Sequence, residues 1–256
     1  MGLGGVLTLV VKIRSDLDVL SSSLRSDLQG KRLVVLAPAM VLPFLGALVY
    51  FILAGDHPAA PVFYGITKMF TLVWPAIALG FVVRQPISFR FGVQVGMGRS
   101  LFEGTLVGLI LGGIIGFSMS TPLGSLVEDS AGAIRQKATD LGFISSFWTF
   151  ALVLSFGHSL LEEYYWRGFV FGQLRHVVPL FMAHLLAGVA FALHHLIVCT
   201  QYFPLGLGLF TGSAVVIGGM VWSWLYVRHG HFYGAWVSHL IVDLILMTIG
   251  AQLILE

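Results

Sequence analysis

Seven stretches of this sequence are long and apolar enough to cross a lipid bilayer, and they account for most of its length. They cover residues 33–54, 62–83, 104–121, 143 to about 174, 179–198, 205–227 and 232–255. A membrane-crossing helix needs about 20 mostly apolar residues. The pattern therefore predicts an all-α fold, a polytopic transmembrane helix bundle of about seven spans.

The composition excludes the soluble classes of protein. Hydrophobic residues make up 57% of the 256 residues and charged residues 10%, whereas a soluble domain carries about 25% charged residues. A formal net charge of +2, without a long basic block, indicates no nucleic-acid partner. The single cysteine, Cys199, excludes an intramolecular disulfide and a multi-cysteine zinc site.

The chain divides into two parts. Residues 1–32 are interpreted as a cytoplasmic or interfacial segment, in which the apolar residues 3–11 are too short to span and predict an additional interfacial helix. Residues 33–256 form a single transmembrane bundle, and its candidate catalytic half covers about 143–255.

The distribution of lysine and arginine predicts an orientation. The basic residues on one side are Lys12, Arg14, Arg25, Lys31 and Arg32 before the first span, Arg84, Arg90 and Arg99 after the second, and Arg175 and Arg228 in later loops. The opposite loops hold only Arg135 and Lys137, and Lys68 lies inside the second span. By the positive-inside rule the amino terminus faces the cytoplasm and the carboxyl terminus the opposite face.

The last part of the chain concentrates the groups that can do chemistry. Residues 142–256 contain eight of the nine histidines but only seven Asp, Glu, Lys and Arg residues. An ionisable group at membrane depth costs roughly 2.5–3.5 kcal/mol on insertion scales, so such groups pair, line a cavity or function. Three clusters stand out: Glu162-Glu163-x-x-x-Arg167, Phe191-x-x-x-His195 and His239-x-x-x-Asp243.

Helical spacing predicts how the first cluster is arranged. Glu163 and Arg167 are four residues apart, so they share a helix face and are expected to form a structural pair. Glu162 lies about 100° away from that face, on the face that carries His158 four residues earlier.

An antiparallel hairpin would join the first two clusters. Proline breaks and opens helices, so residues 175–179 are predicted to form a turn between spans four and five. Glu162 and His195 are equally distant along the chain from the midpoint of that turn, so they would face each other at one level. His239, near the middle of the last span, can join them with Asp243 in one intramembrane pocket.

The three motifs, in this order, resemble those of the CAAX-protease and bacteriocin-processing intramembrane proteases, a family that includes the Rce1-type CAAX prenyl endopeptidases. The resemblance covers about residues 143–255. It implies that Glu162 is the catalytic glutamate, that Glu163 and Arg167 support it, and that His195, His239 and Asp243 complete the site. Two positions differ from the family pattern: Asp243 stands where Asn is frequent, and His194 stands where neighbours are usually apolar.

The expected reaction is hydrolysis of a peptide bond in a membrane-associated protein or peptide, such as a CAAX-type tail. In the mechanism that we favour, Glu162 activates water without a metal, His195 holds the water and His239 faces the substrate oxygen. Zinc bound by Glu162, His195, His239 and Asp243 is the alternative, because these residues form a suitable nitrogen and oxygen ligand set. His194 would support either site.

Other classes fit the sequence less well. The chain contains no His-Glu-x-x-His zinc motif, no Gly-x-Ser-x-Gly nucleophile motif and no pair of late intramembrane aspartates. A proton-coupled transporter would also place ionisable residues in the membrane, but transporters often show paired half-repeats, and none is visible here. An inactive membrane scaffold would be expected to have lost a motif position, and none is lost.

Overall fold

The computed structural model describes the backbone of residues 3–54, 57–85, 92–140 and 142–255, and side chains from Ser21 onward. Within these residues the regular structure is entirely helical. The helices are α1 (Leu3–Leu48), α2 (Ala60–Ile77), α3 (Met97–Ser118), α4 (Pro122–Glu128), α5 (Ala131–Asp140), α6 (Ile144–Leu174), α7 (Leu180–Tyr202), α8 (Leu205–His229) and α9 (Tyr233–Leu255). Short π-helical turns, Val49–Leu53 and Ala78–Val83, continue α1 and α2.

Seven of these helices are long and apolar enough to cross a membrane, namely α1, α2, α3 and α6 to α9. This confirms the predicted polytopic all-α bundle. Helix α1 runs without interruption from Leu3 through the predicted interfacial segment into the first span. The side chains of Lys12 and Arg14 and all of Arg90, which contributed to the predicted orientation, lie outside the described residues.

Helices α6 and α7 form the predicted hairpin. Helix α6 ends at Leu174, and Pro179 immediately precedes α7. The backbone N–H of Arg175 still donates to the carbonyl of Phe171 at 3.1 Å, and the chain then turns. Because proline has no N–H to satisfy, it is well suited to the start of a helix, where that group has no partner.

The motif-bearing helix α6 is fixed to α1 by a tyrosine. Pro43 lies inside α1, and the missing N–H of a proline frees the carbonyl four residues earlier, which here belongs to Ala39. Tyr165 Oη donates to that carbonyl at 2.8 Å. Tyr164 makes a similar bond, at 3.1 Å, to the carbonyl of Leu72 in α2. Neighbouring helices commonly satisfy backbone groups freed by proline inside a membrane.

Close packing of α3 against α9 positions the last motif. A Cβ atom at Gly108 would lie 3.0 Å from Ser238 Cα and from Ile241 Cβ. Small residues allow two membrane helices to approach this closely. Since Ser238 directly precedes His239, this contact sets the depth and rotation of the histidine.

Candidate active site

Glu162 lies at the centre of the site, on an irregular part of α6. The α-helical residues Ser159–Glu162 are flanked by π-helical turns, Leu154–His158 and Glu163–Phe171. Such π-bulges are rare and occur frequently at functional sites. They widen the helix where three ionisable side chains must point inward.

The two oxygens of the Glu162 carboxylate have different surroundings. Oε1 lies 3.1 Å from His158 Nε2 and 3.3 Å from His194 Nε2. Oε2 lies 3.8 Å from His239 Nε2. The residue is only 5% exposed. One oxygen is therefore held by two histidines, while the other lies beyond hydrogen-bonding distance of the third.

Glu163 joins the expected ion pair to the last motif. Its Oε1 lies 3.0 Å from Arg167 Nη1, as the spacing predicted, and 2.8 Å from His239 Nδ1. Both members of the ion pair are buried. The Arg167 guanidinium also lies over the rings of Phe191 and Trp222, at 4.5 and 5.0 Å from their centroids. Cation–π contacts and the carboxylate together compensate this buried charge.

The ring of His239 is fixed on three sides. It stacks on Trp222 with a centroid separation of 4.1 Å and an interplanar angle of 15°. Its Nδ1 is bound to Glu163, and its Nε2 lies 3.6 Å from Asp243 Oδ1. Because the ionised Glu163 can only accept, Nδ1 carries a proton. In the neutral ring, Nε2 then presents a lone pair to the site.

The second motif supplies two adjacent imidazoles. The Nδ1 of His195 donates to the Phe191 carbonyl at 3.1 Å, so Nε2 of the neutral ring is an acceptor. The rings of His194 and His195 lie 4.1 Å apart. His194 also stacks on Trp166, with a ring-centroid distance of 5.8 Å and an interplanar angle of 7°. Both rings consequently have defined orientations beside Glu162.

Among the residues that the structure describes, one group could hold a metal ion. Ligand atoms of Glu162, His194 and His195 all lie within 4.8 Å of one another. These two nitrogens and one oxygen differ from the set predicted from sequence, because His194 replaces His239 and Asp243. In the structure those two residues lie on the Oε2 side of Glu162 instead.

Two of these contacts were not predicted from the sequence. Helical spacing predicts that His158 lies on the same face as Glu162, but the ring also contacts Lys68, whose Nζ lies 3.5 Å from His158 Nδ1. The available signal was a lysine inside a membrane span, which is costly unless it has a partner. The bond from Glu163 to His239 had no sequence signal, because it joins residues 76 positions apart on separate helices.

Outside the membrane spans, burial and neighbouring charges shift the pKa of a histidine. His176 lies in the turn between α6 and α7. Burial, together with the positive charges of Arg32 and Arg175, lowers its pKa below the usual value. At neutral pH the positive charge of this turn therefore comes from arginine rather than from His176.

A buried glutamate surrounded by histidines at the centre of a polytopic helix bundle defines a class: integral membrane proteins with a buried polar site among their spans. Residues 144–245 match the model of a protein family described as type II CAAX prenyl endopeptidase Rce1-like. This match supports a CAAX-protease family assignment for residues 144–245. No curated protein and no solved structure matches the chain significantly.

Proposed function

We propose that the protein is an intramembrane endopeptidase in which Glu162 activates water to hydrolyse a peptide bond. The observation that carries the proposal is the asymmetry of its carboxylate. Oε1 forms a hydrogen bond with His194 and lies 3.1 Å from His158 Nε2, while Oε2 lies 3.8 Å from His239 Nε2 and makes no hydrogen bond within the described residues. A carboxylate held through one oxygen keeps the other available as a general base.

Oε2 is the atom that would take the proton from water. We expect a water molecule that donates to Oε2 to interact also with His239, whose Nε2 lies 3.8 Å from Oε2, and with the acceptor Nε2 of His195. As the proton moves to Oε2, the water oxygen bonds to the scissile carbonyl carbon, and the carbonyl electrons move to oxygen. When the C–N bond breaks, the proton passes from Glu162 to the departing amine.

His239 is best placed to stabilise the oxyanion. Catalysis of acyl transfer depends on preorganised donors at the place where negative charge develops. When the ring is protonated, Nδ1–H stays on Glu163 and Nε2–H can bind the oxyanion. Asp243, 3.6 Å from Nε2, competes for that donor in the absence of substrate. We infer that Asp243 orients His239 rather than contacting water.

A zinc-dependent version of the same activity has one specific observation in its favour. Glu162, His194 and His195 form a two-histidine, one-carboxylate set of the kind that holds catalytic zinc. His195 already donates its other ring N–H to a carbonyl, as metal-bound histidines usually do. Zinc held there would polarise a water and the substrate carbonyl. Against it, His194 Nε2 is directed at Glu162 Oε1, 3.3 Å away.

The substrate is proposed to be a membrane-associated protein or peptide tail, because the site lies among membrane-spanning helices. The basic residues of the sequence support an amino terminus in the cytoplasm. The expected partners are membrane lipid and this membrane-associated substrate.

The test is cleavage of fluorogenic membrane-anchored peptides by protein purified in detergent or reconstituted in vesicles. Glu162→Gln should lower kcat by roughly 10²–10⁴, as expected for the loss of a general base. The matched control is Glu128→Gln, which changes an exposed carboxylate in α4. Glu162→Gln protein that keeps more than about a tenth of wild-type turnover would exclude the assignment.

A further inference from the structure

Lys68 brings a positive charge to the candidate site from the amino-terminal half of the chain. It lies in α2, outside the residues that match the family. Its Nζ is 3.5 Å from His158 Nδ1 and 5.2 Å from the centroid of the Tyr64 ring. Within the described residues, no carboxylate lies within 4.0 Å of this ammonium. Within the described residues, its hydrogen-bond partner is the imidazole of His158.

Because Lys68 is the donor in this contact, the contact determines which ring nitrogen of His158 carries the proton. An ammonium can only donate, so the contacted Nδ1 must offer a lone pair. The neutral ring then carries its proton on Nε2, which lies 3.1 Å from Glu162 Oε1. The opposite tautomer would place N–H against the ammonium and a lone pair against the carboxylate. The doubly protonated ring would also place N–H, and a like charge, against the ammonium.

We propose that Lys68 is a positioning residue of the site: it holds His158 as a neutral Nε2–H donor that ties down Oε1 of Glu162. The consequence is that Oε2 remains the base. This inference rests on the proposed function for its effect on rate, but the protonation pattern of His158 is independent of any activity.

Other charged and titratable groups near His158 do not provide the same restraint. Glu162 lies on its own helix, and His194 in α7 and Asp243 in α9 are close enough to interact electrostatically. Glu162 contacts Nε2 of the ring, and the hydrogen bond to Nδ1 within the described residues is the one with Lys68 in α2. Lys68 therefore has no substitute at that nitrogen.

The competing explanation is a lysine that only covers apolar surface and an aromatic ring. The chain contains a suitable comparison, since Lys137 Nζ lies 5.9 Å from the centroid of the Tyr50 ring. Both lysines stack on a tyrosine, but only Lys68 reaches a histidine of the site. Lys137→Met is consequently the matched control for Lys68→Met.

The kinetic experiment compares wild type, Lys68→Met, Lys68→Arg and Lys137→Met on the same membrane-anchored peptide. Lys68→Met should lower kcat about 10-fold or more with KM within about twofold, since misplacing a reacting group by about 1 Å can cost roughly 10²-fold. Lys68→Arg keeps a donor and should recover most of kcat, and Lys137→Met should match wild type. A change confined to KM, or an equal loss in Lys68→Arg, would contradict the proposal.

The spectroscopic experiment reads His158 directly. Protein labelled with ¹⁵N-histidine is compared with His158→Gln, which identifies the His158 ring signals by their disappearance. In wild type, Nε2 should be protonated and Nδ1 unprotonated, and in Lys68→Met the Nδ1 signal should move toward the protonated position. A protonated Nδ1 in wild type overturns the proposal even if Lys68→Met does not fold. If wild type cleaves no peptide, the proposed function fails, and this measurement still decides the role of Lys68.

Discussion

Glu163 and His239 are joined by a 2.8 Å hydrogen bond between Oε1 and Nδ1, which connects the first motif on α6 to the last motif on α9. The same carboxylate oxygen lies 3.0 Å from Arg167 Nη1. The ion pair that helical spacing predicts as a structural feature therefore also sets the tautomer and direction of a candidate catalytic ring.

Arg167→Ala should destabilise the fold. The change leaves the fully buried Glu163 without its cation and removes two cation–π contacts. Breaking a buried pair on one side costs roughly 3–5 kcal/mol. The melting temperature of detergent-purified protein measures this loss. Arg135→Ala is the control, because the exposed Arg135 side chain donates, among the described residues, only to the Leu253 carbonyl, at 3.4 Å. Equal melting temperatures for both variants would show that the pair is not structural.

Tyr165→Phe should lower stability through the proline in α1. It removes the donor to the Ala39 carbonyl and leaves that acceptor buried. The expected cost is about 1–3 kcal/mol, nearer the lower end in a membrane, where hydrogen bonds average about 0.6 kcal/mol. Pro43→Ala restores the backbone N–H that can satisfy the same carbonyl. The Tyr165→Phe penalty should therefore shrink in the Pro43→Ala background, as a double-mutant cycle would measure. An unchanged penalty would mean that the hydroxyl does not replace the missing backbone bond.

Gly108→Leu should disturb both stability and turnover. The added side chain meets the backbone of Ser238, which cannot move without displacing His239. Overpacking of this kind costs typically about 1–3 kcal/mol. Gly113→Leu, on the same helix but with nothing within 4 Å of an added Cβ, is the control. If both variants have wild-type melting temperature and kcat, the approach of α3 to α9 does not position the histidine.

Much of the fold could be predicted from the sequence because each membrane span is a continuous apolar segment of the chain. Span length and apolar content locate the membrane helices, and a proline after Leu174 locates the hairpin. The i,i+4 rule likewise predicts the pairing of Glu163 with Arg167. These features depend on residues close together in the chain.

The rest of the site depends on which helices are neighbours, and one sequence does not contain that information. Lys68 reaches His158 only because α2 packs beside α6, and Glu163 reaches His239 only because α9 does. Hairpin symmetry placed His195 opposite Glu162, but could not distinguish it from His194, one residue away. In the structure His194 makes the hydrogen bond to Glu162, and His195 bonds the Phe191 carbonyl. The roles of these residues remain predictions.

Two single variants, Asp243→Asn and His194→Ala, should distinguish the glutamate mechanism from zinc catalysis. In the metal-free mechanism Asp243 orients His239 Nε2 across 3.6 Å, and an amide oxygen can still accept there. Asp243→Asn should then keep kcat within about 10-fold of wild type, and chelators should change activity little.

With zinc on the ligand set predicted from sequence, loss of an anionic ligand at Asp243 should lower metal content and activity together. With zinc on Glu162, His194 and His195, His194→Ala should do so instead. Metal analysis of the three proteins beside their cleavage rates decides: stoichiometric zinc in wild type that disappears with activity in either variant would replace the glutamate mechanism with a metalloprotease.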